Sequence, residues 1–119
     1  MEDKPINWLG TSRDDIRSFP EDVRRKTGVE LRKIQQGEEP TDFKPMSVVG
    51  KGVQEIRIRT EDAYRIFYVA KLEEAIYVLH AFHKKTQKTA KGDIELGRRR
   101  YLQMLQEREI IDEENSQNE

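Results

Sequence analysis

Along residues 5–9, apolar Ile6 and Trp8 flank polar Asn7 and the run stops at Gly10, the alternation expected of a short edge strand. Ser12, with Asp15 three residues on, reads as an N-cap with a weak capping box, opening a helix that buries Ile16 and Phe19. Pro20 breaks that helix and suits the first turn of another, in which Glu21 and Asp22 meet the positive end of the helix dipole. Val23, Thr27, Leu31 and Ile34 then form one stripe, and Gly37 is the expected C-terminal stop. Gly28 inside this helix costs about 1 kcal/mol relative to alanine.

Residues 38–45 form a polar, proline-bracketed loop, after which Met46 to Val49 suggests a strand ending at Gly50-Lys51-Gly52. Val53 to Arg59 alternates, with Ile56 and Ile58 on one face and Glu55, Arg57 and Arg59 on the other. Ala63 to Ala70 and Ala75 to Phe82 are more uniformly apolar, and the short turns at 60–62 and 71–74 make the three strands an antiparallel meander. A last helix is predicted from Thr89, with Ile94, Gly97, Tyr101 and Leu105 facing inward and fraying after Ile111. The class is α+β: two N-terminal helices packed on a twisted antiparallel sheet with a C-terminal helix alongside. One domain is expected over residues 1–106, followed by an acidic, disordered tail over 107–119.

A chain of 119 residues with 34% hydrophobic content supports a single modest core. The absence of cysteine excludes disulfides and thiolate chemistry and suits a cytoplasmic setting. No export signal or membrane span is read from the sequence. The net charge of −1 hides an uneven distribution. Residues 107–119 hold six acids and one base, leaving 21 bases against 17 acids in residues 1–106. Within that body, Lys84 to Arg100 carry seven bases against Asp93 and Glu95, a candidate polyanion surface or simply a solvated face.

Metal-ligand spacings are missing, because His80 and His83 lie three apart on a predicted strand and so face opposite ways. No cofactor is implied, and no phosphate loop or nucleophile elbow is present. Cations do occur at strand positions. Arg57 and Arg59 share a face, and Arg65 sits within the apolar run Tyr64 to Val69, where a guanidinium needs a carboxylate such as Glu55 or an anionic ligand. Residues 82–89, Phe-His-Lys-Lys-Thr-Gln-Lys-Thr, carry further cations from the last strand toward the last helix.

The runs Ser18-Phe19-Pro20, Lys44-Pro45-Met46, Glu55-Ile56-Arg57, Tyr64-Arg65-Ile66-Phe67-Tyr68 and, above all, residues 77–89 resemble the phage-derived branch of the RelE/HigB toxins of type II toxin–antitoxin systems. The resemblance covers roughly residues 5–106. It implies a small RelE-like fold, metal-independent endoribonuclease activity that cleaves mRNA in the ribosomal decoding site to inhibit translation, and a cognate helix-turn-helix antitoxin as partner. Two positions depart from the pattern: Ala90 stands where relatives often carry proline, and His83 where they carry glutamine or an aliphatic residue.

Metal-free RNA cleavage needs a base for the 2′-hydroxyl proton, cations for the phosphate and an acid for the departing 5′-oxygen. The resemblance places Arg65 and Lys84 or Lys85 at the scissile phosphate with Arg57 beside them; the acid or base is Tyr68, in a Tyr-Arg-Ile-Phe-Tyr run that resembles the family's, or His83, which the family pattern does not supply. Tyr68 also shares a strand face with Tyr64 and Ile66, which is equally a packing arrangement. Arg59, Lys88, Lys91 and Arg98 to Arg100 are expected to grip the RNA backbone, and Phe82 either packs in the core or stacks on a base. The acidic tail either folds back on the basic groove or simply solvates the chain end. The competing reading is a non-catalytic phage-derived adaptor using the same basic face to bind RNA or protein.

Overall fold

The computed structural model describes residues 3–117, with side chains as far as residue 109. Its elements are β1 (Ile6–Trp8), α1 (Ser12–Arg17), α2 (Glu21–Gln35), β2 (Phe43–Pro45), β3 (Val53–Arg59), β4 (Ala63–Val69), β5 (Ile76–Lys84) and α3 (Lys91–Gln117). The five strands form one sheet in the order β1-β5-β4-β3-β2. β2 to β5 pair antiparallel as a meander, while β1 joins the far edge parallel to β5 and makes the sheet mixed.

Each face of the sheet carries its own core. α1 and α2 cover one face, where Ile16, Phe19, Val23, Leu31 and Ile34 pack on Ile56, Ile58, Ile66 and Val78. α3 covers the other, where Met104, Ile94 and Tyr101 join Val53, Phe67, Val69 and Leu79. The α2 stripe therefore falls as its spacing predicts. Its C-terminus closes as a Schellman turn, with Gly37 at φ +85° and the N–H groups of Gly37 and Glu38 donating to the carbonyls of Ile34 and Lys33.

Three expectations are corrected. Thr11, not Ser12, holds the position before α1, and its hydroxyl donates to Asp15 at 2.9 Å. The Ser12 hydroxyl is buried and donates to the Val78 carbonyl at 3.1 Å, tying α1 to β5. Met46 to Val49 is a turn, closed by the Val49 N–H on the Met46 carbonyl, and the preceding strand lies earlier at Phe43–Pro45. On α3 the buried residue is Met104 at 1% exposure, whereas Leu105 is 38% exposed, and the helical backbone continues past Ile111 to Gln117. Gly97 has a packing reason: a Cβ there would come within 2.9 Å of the Phe67 ring, so glycine lets α3 sit close on the sheet.

One irregularity controls the chemistry. Phe67 pairs with His80 but Tyr68 pairs with Val78, leaving Leu79 as the extra residue of a β-bulge. Ile76 and Val78 face α1 and α2 before the bulge, and Ala81 faces them after it, a change of parity. The bulge therefore turns Phe82 and Lys84 toward the face that carries α3 and Arg65.

Candidate functional site

Glu55 is the centre of a cluster built from four strands. It lies opposite Lys44 on β2, is 1% exposed, and has Arg57 and Arg65 within ion-pair distance: Arg57 Nε is 3.4 Å and Arg65 Nε 3.5 Å from the same Oε1. Arg57 and Arg65 are register partners on β3 and β4, so two guanidinium groups stand side by side. Like charges directly opposite repel, and the shared carboxylate between them offsets this.

The cluster is charged beyond its own means to neutralise. Glu55 Oε2 and Arg65 Nε are both buried without a hydrogen-bond partner, since the 3.5 Å approach lacks hydrogen-bond geometry. Arg65 spends one Nη1 bond on the Tyr64 carbonyl at 3.0 Å and is 3% exposed. Burial, and more weakly Arg57 and Arg59, lower its pKa, with Glu55 opposing; a guanidinium remains charged throughout. Lys84 is half-buried at the end of β5. Burial first, then Arg65, Lys44 and Arg57, push its pKa below the ordinary lysine value of 10.5, against Glu55. Arg57, with 31% of its side chain exposed, and Lys84 give the cluster its opening to solvent.

Of the six expected catalytic residues, the structure therefore brings together Arg57, Arg65 and Lys84. Lys85 follows Lys84 on the exposed stretch after β5. Tyr68 and His83 lie on the opposite face of the sheet. Tyr68 is 3% exposed in the α1–α2 core, and burial together with Glu39 and Glu30 raises its pKa to about 12, far from that of a base near neutrality. His83 stacks on the Tyr64 ring, with centroids 4.8 Å apart, and approaches Asp62 at 3.7 Å. Phe82 is buried edge-on to Phe67, which settles its packing role. The residue the sequence reading passed over is Lys44, whose only signal was its place in the Lys44-Pro45-Met46 run.

The expected RNA-gripping residues divide. Arg59 lies at the end of β3 beside Arg57, and Lys88, Lys91 and Arg99 are exposed. Lys91 approaches Glu95 at 3.9 Å on α3. Arg98 is turned to the β2–β3 connection, where its Nε donates to the Val48 carbonyl at 2.6 Å. Arg100 is corrected outright: it is 8% exposed and donates to the Leu79 carbonyl at 2.9 Å and to Thr11 Oγ1 at 3.0 Å. Its Nη1 also lies 3.5 Å from His80 Nδ1, while His80 Nε2 is 2.8 Å from Asp93 Oδ1. With His80 neutral and its proton on Nε2, this chain has a donor and an acceptor at every step. Burial lowers the His80 pKa and Arg100 adds to that, partly offset by Asp93.

Among the described residues no helix is long and apolar enough to cross a membrane. The family model described as "Phage derived protein Gp49-like (DUF891)" matches residues 14–102, which take in every member of the Glu55 cluster. No curated protein matches the chain.

Proposed function

The chain belongs to the phage-derived Gp49-like family, and from that premise we propose that it is the toxin of a toxin–antitoxin pair. In this reading it is similar to the RelE/HigB toxins, a metal-independent endoribonuclease that cleaves mRNA in the ribosomal decoding site in the cytoplasm. A helix-turn-helix antitoxin silences it. The observation that carries the reading is the convergence of Arg57, Arg65, Lys84 and Lys44 on one buried carboxylate, which leaves an excess of positive charge at a partly open site.

The chemistry follows from those groups. The neutral amine of Lys84 takes the proton from a ribose 2′-hydroxyl, and the 2′-oxygen forms its bond to phosphorus. Arg57 and Arg65 hold the charge growing on the non-bridging oxygens, each worth about 3 kcal/mol in the transition state. The bond from phosphorus to the 5′-oxygen breaks, and the leaving oxygen takes a proton from the ammonium of Lys44. The products are a 2′,3′-cyclic phosphate and a 5′-hydroxyl. Glu55 positions both guanidinium groups, Lys85 stands outside as a further cation, and Tyr68 and His83 have no part in this scheme.

Mapping messenger ends after induction, with and without translation, tests the proposal. Wild type is expected to arrest growth and cut messages, while Lys84→Gln and Arg57→Gln are tolerated. Those two variants are preferable to Arg65→Ala, because removing a buried partner of Glu55 destabilises the fold by about 3 kcal/mol and confounds the result. If both variants remain as toxic as wild type, the catalytic assignment is wrong. A wild-type chain that binds RNA without cutting it would be the non-catalytic adaptor.

A further inference from the structure

Arg57 borders a second feature. Beside it, α2 and β3 enclose a groove of about 370 Å³ lined by Arg25, Lys26, Val29, Arg57, Ile58 and Arg59. Its floor is apolar. Val29, in the middle of a charged helix face, is 53% exposed, and Ile58 is the core residue beneath it. Four of the eight lining residues are cationic. Thr41 and Glu30 complete the wall, and the Glu30 carboxylate is already engaged by the Thr41 N–H at 2.6 Å, the Thr41 hydroxyl at 2.8 Å and Lys33 at 3.4 Å. The pairing of β2 with β3 ends at Ile56, and beyond it the Arg57 N–H donates to the Asp42 carbonyl at 2.9 Å.

We propose that this groove is a nucleotide subsite for single-stranded RNA: the nucleotide flanking the cleaved phosphate lays its base on Val29 and Ile58 while Lys26 and Arg59 take its phosphate. The volume lies within the range of small-ligand pockets, roughly 300–1,000 Å³. An apolar floor ringed by guanidinium groups suits the flat face and anionic edge of one nucleotide. A phosphate held by Arg57 and a base in this groove are neighbours on one strand, because Arg57 lines both places. The inference rests on the nuclease reading for the identity of the strand. It moves the RNA path from α3, where sequence alone puts it, across the edge of β3 to α2.

The test uses the full chain and a short RNA that is 2′-O-methylated at every ribose, so that it binds without being cut, and that carries 4-thiouridine for photo-crosslinking. Crosslinks are expected at residues 25–29 of α2. Val29→Asp, on an exposed helix position that leaves the fold intact, should weaken binding about tenfold. Lys26→Gln should weaken it less and lower the salt dependence by about one phosphate contact. Crosslinks confined to α3, with unchanged affinity in both variants, would overturn the subsite. So would an acidic peptide that binds the groove more tightly than the RNA. Cleavage lost in Lys84→Gln alongside Val29-independent binding sinks the subsite and leaves the nuclease standing. Val29-dependent binding without any cleavage by wild type does the reverse.

Discussion

The α3 side of the sheet carries two clusters of buried charge, and they are built on different terms. In one, Arg100 satisfies the Leu79 carbonyl and the Thr11 hydroxyl, and His80 links it to Asp93 at 2.8 Å. Every group there finds a partner within the protein, and the cluster clamps α3 and the start of α1 onto β5. In the other, Glu55 faces two arginines across long contacts of 3.4 and 3.5 Å, and Glu55 Oε2 and Arg65 Nε are left without hydrogen bonds. A buried arginine is therefore not by itself a functional signal. What separates the clusters is saturation: the first is complete as folded, while the second has donor capacity and positive charge that an anion can use.

Four measurements break or sharpen this contrast. The largest effect is expected from Lys84→Gln, which should slow single-turnover cleavage about 10²- to 10³-fold while barely moving the melting temperature. A matching loss of stability would make the Glu55 cluster structural too. Arg100→Met should do the opposite, lowering unfolding free energy by about 2–3 kcal/mol in denaturant titrations while leaving cleavage per folded molecule near wild type. Activity lost in step with Lys84→Gln would merge the two clusters into one site.

The remaining two concern pH. Because the Lys84 pKa is lowered, the proposed scheme, in which its neutral form is the base, expects the cleavage rate to rise with pH and level off below 10.5. Lys84→Arg should remove that rising limb from the pH–rate profile. The smallest effect belongs to His80. Its folded pKa lies below the ordinary histidine value of 6.5, so the unfolded chain takes up the proton more readily. Its stabilising contribution is present above that value and is lost as pH falls from it toward the folded pKa. Melting curves of His80→Gln should lack that component, and an unchanged pH profile would show that the imidazole titrates equally in both states.

Much of the fold was legible because the signals are local. The α2 stripe, the Gly37 stop and the meander all follow from periodicity and turn chemistry over a few residues, and they appear where expected. The parity of β4 is equally local: Arg65 and Tyr68 are three apart on an unbroken strand, so they face opposite sides. Lys44 was not legible as a site residue, because its position depends on the register that pairs it with Glu55. Arg98, Arg99 and Arg100 look alike in sequence, yet one is tied to Val48, one is exposed and one is buried, since a helix turns each by about 100° relative to the last.

The amino-acid sequence alone determined the α+β class, most of the element boundaries and a surplus of cations in the body of the chain, because these follow from hydrophobic period, capping residues and composition. The tertiary structure decided which cations share a site. The bulge at Leu79 reverses the facing of the last half of β5, and that reversal sets Lys84 beside Arg65. A bulge is a property of how two strands pair, so the facing of every residue beyond it is decided only when the sheet is assembled.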